Sequence, residues 1–220
     1  MTPLSITESI VEQLRIYIIV GALKPGQKLN EVQLSSRLGI SRPPLREAFR
    51  LLENERLVIS VSRKGSYVTE ISWEDCQEVF QVREMIECAA VDLFKAKGIK
   101  TLPKVAAALE KTVDLLVPKN TDPQIRFQYL KTVADFHIKL VESAGNSRLV
   151  DFFNSIFISM ARYQAMYMYQ PGFINEAQKV HENILLFIEK GNYSQAKSLL
   201  SSHILGFLKT MKEKMREKRS

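Results

Sequence analysis

The stretch "SRPPLREAFRLLENERL", residues 41–57, decides the fold of the first part of the chain. Adjacent prolines ordinarily stop a helix, because proline lacks an N–H and crowds the preceding turn. At a helix start the first N–H groups have no intrahelical partner, so Pro43 and Pro44 cost little there and their fixed φ pre-sets the first turn. Ser41 is placed to cap that start with its hydroxyl. Leu45, Ala48, Phe49, Leu52 and Leu57 then follow helical spacing as one apolar stripe. Arg42, Arg46 and Arg50 recur every four residues on another face. A single surface arginine is ordinarily a solvated charge. Three in register on a proline-stiffened helix point to a polyanion.

Upstream, "ITESIVEQLRIYIIVGAL" predicts a helix with Ile6, Ile10, Val11, Leu14, Tyr17 and Ile18 on one buried face, Thr7 at its start and Gly21 after its end. "KPGQ" is a turn. "NEVQLSSRLGI" predicts a short second helix capped by Asn30, carrying Arg37 and ended by Gly39. A short helix, a glycine turn and a basic helix form a helix-turn-helix, whose second helix enters the major groove. Arginine suits that position because its fork bonds guanine O6 and N7 together. Downstream, "VISV" and "SYVTEI" predict two strands around "SRKG". Arg63 and Lys64 put charge at the hairpin tip, and Gly65 allows a close approach to phosphate. This hairpin is a wing.

Composition agrees with that reading. The chain has 220 residues and a net charge of +7. Residues 1–70 hold 10 Lys/Arg against 7 Asp/Glu, residues 71–208 hold 15 against 15, and residues 209–220 hold 6 against 2. The basic ends suit a polyanion, although charge alone speaks only to non-specific binding, and a basic terminus is ordinarily a fraying helix end. The sequence shows no run of apolar residues long enough to span a membrane and no signal-peptide pattern at its start. Cys76 and Cys88, twelve positions apart, would lie about 18 Å apart along one helix, too far to bridge. A reduced, cytoplasmic protein is expected.

"GALKPGQKLNEVQLSSRLGISRPPLREAFRLLENERLV" with "SRKGSYV" resembles the winged helix-turn-helix of the GntR family of bacterial transcription regulators. The resemblance covers residues 8–70, and "LGISRPPLREA" is its most specific part. It implies DNA contact through Ser41, Arg42, Pro43 and Arg46 and through the wing-tip glycine, Gly65. Val32 stands where many members have an operator-reading arginine. Arg56 stands where the family has glycine.

From Ser72 onward the pattern is helical throughout. Six helices are expected: from Ser72 to about Gly98, from Pro103 to before Pro118, from Asp122 to Gly145, from Ser147 to Tyr169, from Pro171–Gly172 to Gly191, and from near Ser194 into the tail. The expected fold is mainly α: a winged helix-turn-helix domain over residues 1–71, then an all-α six-helix bundle over residues 72–220. His137, His181 and His203 are the only histidines and fall on three different helices. Neutral imidazole is the commonest protein metal ligand, yet one histidine on a half-apolar helix is ordinarily a core residue. Spacing alone does not bring the three together.

"VREMIECAAVDLFKAKG", "DFHIKLVESAGNSRL" and "HENILLFIEKGNYSQAKSLLSSH" resemble the effector-binding (FCD) domain of the FadR branch, and six helices suggest its VanR-like subgroup. That resemblance implies a divalent metal (zinc, nickel or manganese) on His137, His181 and His203. The family's fourth ligand, an aspartate one turn before the first histidine, is Val133 here. Asp135 is two residues from His137, about 200° around the helix, and should point away. The resemblance also implies that Arg83 faces the pocket and pairs with a small carboxylate effector, for which a guanidinium fork is suited. Arg162 and Tyr163 are further pocket candidates, although such a methionine- and aromatic-rich stripe is ordinarily core. A homodimer on a palindromic operator of double-stranded DNA is implied, most relatives being repressors of catabolic operons. Two other readings stay open. A metal-dependent enzyme lacks an HExxH motif and an evident general base. A regulator with a decayed pocket would act without effector.

Overall fold

The computed structural model describes residues 5–113, 115–119, 121–169 and 173–217. Among them the order is α1 (Ile6–Ile19), β1 (Lys28–Leu29), α2 (Glu31–Leu38), α3 (Arg42–Asn54), β2 (Val58–Val61), β3 (Gly65–Val68), α4 (Trp73–Lys97), α5 (Pro103–Glu110), α6 (Pro123–Ser143), α7 (Ser147–Ala165), α8 (Phe173–Glu189) and α9 (Tyr193–Glu217). The fold is therefore mainly α, with a winged helix-turn-helix followed by six helices. None of the described helices is long and apolar enough to cross a membrane. Both cysteines are free and buried.

The first core gathers Leu14, Ile18, Leu45, Ala48, Phe49, Leu52, Leu57 and Val68 from α1, α3 and the hairpin. The stripe read from residues 45–57 is thus the face that α3 buries. Asn30 caps α2 by accepting from the N–H groups of Val32 and Gln33, and Gly39 closes that helix at φ 66°. Four details differ from expectation. Ser5, not Thr7, caps α1, in a reciprocal box with Glu8. Ile6 lies outside the buried face of α1, because that face begins only at Ile10. Ser41 sits at the N-cap of α3 without a side-chain cap bond. A two-residue strand, β1, adds to the wing, so the sheet runs β1-β3-β2, antiparallel throughout. Two residues are too few to show a period of two, so β1 left no pattern to read.

The second core lies between α4 and its neighbours, with Phe80, Val91, Phe94, Phe136, Leu140, Phe153, Ile184, Leu200 and Ile204 at its centre. Gly98 ends α4 in the left-handed conformation. α5 ends at Glu110, well short of Pro118, and α7 ends at Ala165, with residues 166–169 as turns. The expected start of α8 at Pro171–Gly172 lies outside the described residues. A third apolar cluster joins the two parts: Ile19 and Val20 at the end of α1 pack with Leu130 and Val133 of α6 and with Ala161 and Ala165 of α7. α1 is therefore buried on two sides, one toward α3 and one toward the helical part.

Candidate nucleic-acid interface and histidine centre

The exposed side of α3 carries Arg42, Pro43, Arg46 and Arg50, with Ser41 at its start and Arg37 in the last turn of α2 nearby in sequence, all exposed. The hydroxyl of Ser41, with no cap bond, is free for another acceptor. Arg46 Nε donates to Glu31 Oε2 across 2.9 Å, an exposed pair. Arg50 lies 3.6 Å from Glu47. Both are solvated pairs of small worth, readily exchanged for phosphate. At the wing tip Arg63 adopts φ 61° and Gly65 φ 103°, so the turn aims Arg63 and Lys64 outward. Tyr67 braces the tip by donating to the Lys64 carbonyl. Val32 is 55% exposed on α2 and carries no charge. The structure exposes the basic residues named from sequence on three elements: the last turn of α2, α3 and the wing.

The second site lies inside the helical part. His137 of α6, His181 of α8 and His203 of α9 each offer one ring nitrogen, all within 4.8 Å of one another. His181 Nε2 and His203 Nε2 are 3.1 Å apart. Phe136 stacks on the His181 ring with centroids 3.9 Å apart and fixes its plane. Burial, then neighbouring charge, lowers the pKa of all three, that of His203 to about 4, so the imidazoles are neutral near pH 7. Neutral imidazoles with lone pairs converging are a metal-binding donor set. Two nitrogen ligands of one zinc ion at 2.0–2.1 Å stand roughly 2.9–3.4 Å apart, which the His181–His203 separation matches. Three neutral imidazoles suit a divalent metal in chemistry, but the three nitrogens spread over up to 4.8 Å, wider than the roughly 3.4 Å of a tetrahedral site, so a ring moves inward when an ion is held. Asp135 is not part of the group; it faces Lys111 at 3.4 Å.

The residue that the sequence reading missed is Glu87. It is wholly buried on α4, and its Oε2 lies 2.6 Å from His137 Nδ1 while its Oε1 accepts from Arg83 Nε at 2.6 Å. A carboxylate on Nδ1 holds the proton there and leaves Nε2 as the ligand, the usual outer support of a metal-binding histidine. Burial raises the Glu87 carboxyl, and Arg83 opposes that shift. The signal was present in the sequence. Arg83 and Glu87 fall at i, i+4 within the stripe Phe80, Arg83, Glu87, Val91, Phe94, and the whole stripe is buried. A charged pair in an apolar stripe must be satisfied internally.

Arg83 is only 2% exposed, and its Nη2 has no hydrogen-bond partner. It lies close enough to the histidines to lower the pKa of each. Arg162 and Tyr163 are placed elsewhere. Arg162 donates from both Nη atoms to Thr69, to its hydroxyl at 2.6 Å and to its carbonyl. Tyr163 donates to the Asp75 carboxylate, and burial followed by that carboxylate pushes its hydroxyl pKa upward. Arg162 is thus bonded to the linker at the junction between the two parts of the chain, and Tyr163 to the start of α4.

An exposed winged helix-turn-helix joined to an all-helical domain is the architecture of a DNA-binding transcriptional regulator. Comparison with known proteins agrees. Residues 6–68 match the family of bacterial regulatory proteins, gntR family, and residues 78–206 match the FCD domain. The chain belongs to the GntR family, as a FadR-type transcriptional regulator, and is not an enzyme. It is 33% identical over 138 residues to the HTH-type transcriptional regulator YdhC of Bacillus subtilis (strain 168), covering 62% of this chain and 60% of that protein. It is 24% identical over 192 residues to the HTH-type transcriptional repressor GlaR of Escherichia coli (strain K12), covering 86% and 87%. A solved GntR regulator from Rhodococcus sp. RHA1 shares the fold with a TM-score of 0.74 at 24% identity, covering 93% of this chain and 96% of that one.

Proposed function

We propose that this chain is an effector-responsive repressor of the VanR-like subgroup that acts as a cytoplasmic homodimer on a palindromic operator, controls a catabolic operon and senses a small carboxylate in its helical domain. Residues 1–71 are assigned to DNA binding and residues 72–220 to effector binding and dimerisation. The observation that carries the reading is the Arg83 guanidinium, buried beside three convergent histidines with one donor left over. A buried donor without a partner is costly, and an anionic ligand oxygen satisfies it. His137, His181 and His203 would hold a divalent metal, with Glu87 orienting His137. When bound, that metal supplies a Lewis-acidic site for a ligand carboxylate. Val133 adds no fourth ligand, so a coordination position stays open to effector or water.

On DNA, Arg42 and Arg46 at the start of α3 reach base edges, with Ser41, Pro43, Arg37 and Arg50 around them, while Arg63, Lys64 and Gly65 approach phosphates. Dimerisation is supported by Val82 and Met85, one turn apart on α4 and 41% and 64% exposed. The relative named as a repressor supports the sign of regulation. The deciding experiment is metal content and effector response on tag-free protein, beside His181→Ala. About one equivalent of zinc, nickel or manganese per chain is expected, lost in the variant. Metal-free protein after incubation with all three ions would sink the metal reading and move the search to Arg83 alone.

A further inference from the structure

A cleft of about 580 Å³ opens where the two parts of the chain meet. Val20 and Lys24 line it from the DNA-binding part, Ile71 from the linker, and Arg162, Met166 and Met215 from the helical part. Its volume lies within the range of small-molecule sites. Its walls are apolar except for Lys24 and Arg162, which are both cationic.

Arg162 is the second observation. It is 7% exposed, and its Nη hydrogen bonds go to Thr69, a neutral residue. Among the described residues no carboxylate lies within ion-pair distance of it. Glu70 and Asp75 act on it only through their field, and Asp75 is engaged by Tyr163. A buried cation without a paired anion is unfavourable. The cleft beside it is open to a ligand that would bring one.

We propose that this junction cleft is a second ligand site, separate from the histidine centre, for an apolar carboxylate: its aliphatic or aromatic body lies against Val20, Ile71, Met166 and Met215, and its carboxylate faces Arg162 with Lys24 at the mouth. One negative charge matches the two available cations, one of them already solvated. The apolar walls exclude sugars and polyphosphates, which need many polar partners. Because both parts of the chain line the cleft, a ligand that fits it stabilises the domain placement seen here over any other.

The test is calorimetric titration of the full chain with decanoate and 4-phenylbutyrate, with decanol and acetate as controls lacking the charge or the body. One of the two acids is expected to bind at one site per chain, with both controls much weaker. Met166→Trp, which fills the cleft, and Lys24→Gln, which leaves the interior intact, should each weaken binding, the former about tenfold or more. Circular dichroism checks that each variant is folded. His181→Ala should leave the affinity unchanged. Absence of binding by both acids up to about 1 mM, equal affinity in Lys24→Gln and Met166→Trp, or loss in His181→Ala would each overturn the proposal. Occupation of the cleft by a second copy of the chain would do so through the first of these.

Discussion

Arg56 shows how a single backbone angle explains a sequence oddity. It adopts φ 58° between α3 and β2, the left-handed region that favours glycine and costs other residues about 1–2 kcal/mol. The family's glycine at this position removes that strain. Arg56→Gly is therefore expected to stabilise the chain by about 1 kcal/mol in urea denaturation, less the entropy that glycine returns to the unfolded state. The two thiols give a pH prediction. Burial, with help from Asp75 and Glu84 respectively, pushes Cys76 and Cys88 from 9.0 up to about 12. The unfolded chain loses those protons near pH 9 while the fold keeps them. The unfolded state then binds fewer protons, so stability falls as pH rises from about 9 to 12. Melting curves across that range should show the decline, and iodoacetamide at pH 8 should label neither thiol until the chain unfolds.

Among the elements, α2 and α3 carry contrasting caps. Asn30 makes two bonds to the start of α2, so Asn30→Ala should cost about 1 kcal/mol. Ser41 makes none, so Ser41→Ala should leave the melting temperature unchanged yet weaken operator binding, a split that fluorescence anisotropy and calorimetry would reveal together. Arg46→Ala should relax sequence preference and leave the salt dependence of DNA binding unchanged, as a base-edge contact requires. A fall of about one unit of log–log slope would assign Arg46 to phosphate instead. In α6, Val133 occupies the family's aspartate position but belongs to the apolar cluster with Ile19 and Val20. Val133→Asp should therefore destabilise metal-free protein by several kcal/mol, measured by chemical denaturation.

For the whole molecule, the informative contact is the one between Arg162 and Thr69, 93 residues apart. Thr69 also donates to the Arg56 carbonyl and its N–H to the Leu57 carbonyl, so α7, the linker and the end of α3 form one connected unit. Together with α1, buried on two sides, this unit couples the helical part to the DNA-binding part. Arg162→Met should loosen it. Amide exchange at residues 69–72 is expected to rise about tenfold while helix content holds. Exchange unchanged from the native chain would mean that the apolar packing of α1 alone sets the domain placement.

The local features of this protein were legible in its sequence. The proline-started α3, its buried stripe, the wing and the six later helices follow from periodicity and turn chemistry, which act over a few residues. The histidine set was legible only as three positions, and the family resemblance supplied their meeting. What tertiary structure alone decided is the partner of each buried charge. Periodicity says that Arg83 and Glu87 share a face of α4, but not that His137 completes the chain of bonds. It places Arg162 on a half-apolar stripe, but not against Thr69, 93 residues earlier in the sequence. The reason is physical: helical spacing fixes which residues share a face, whereas which faces meet depends on how all the helices pack at once.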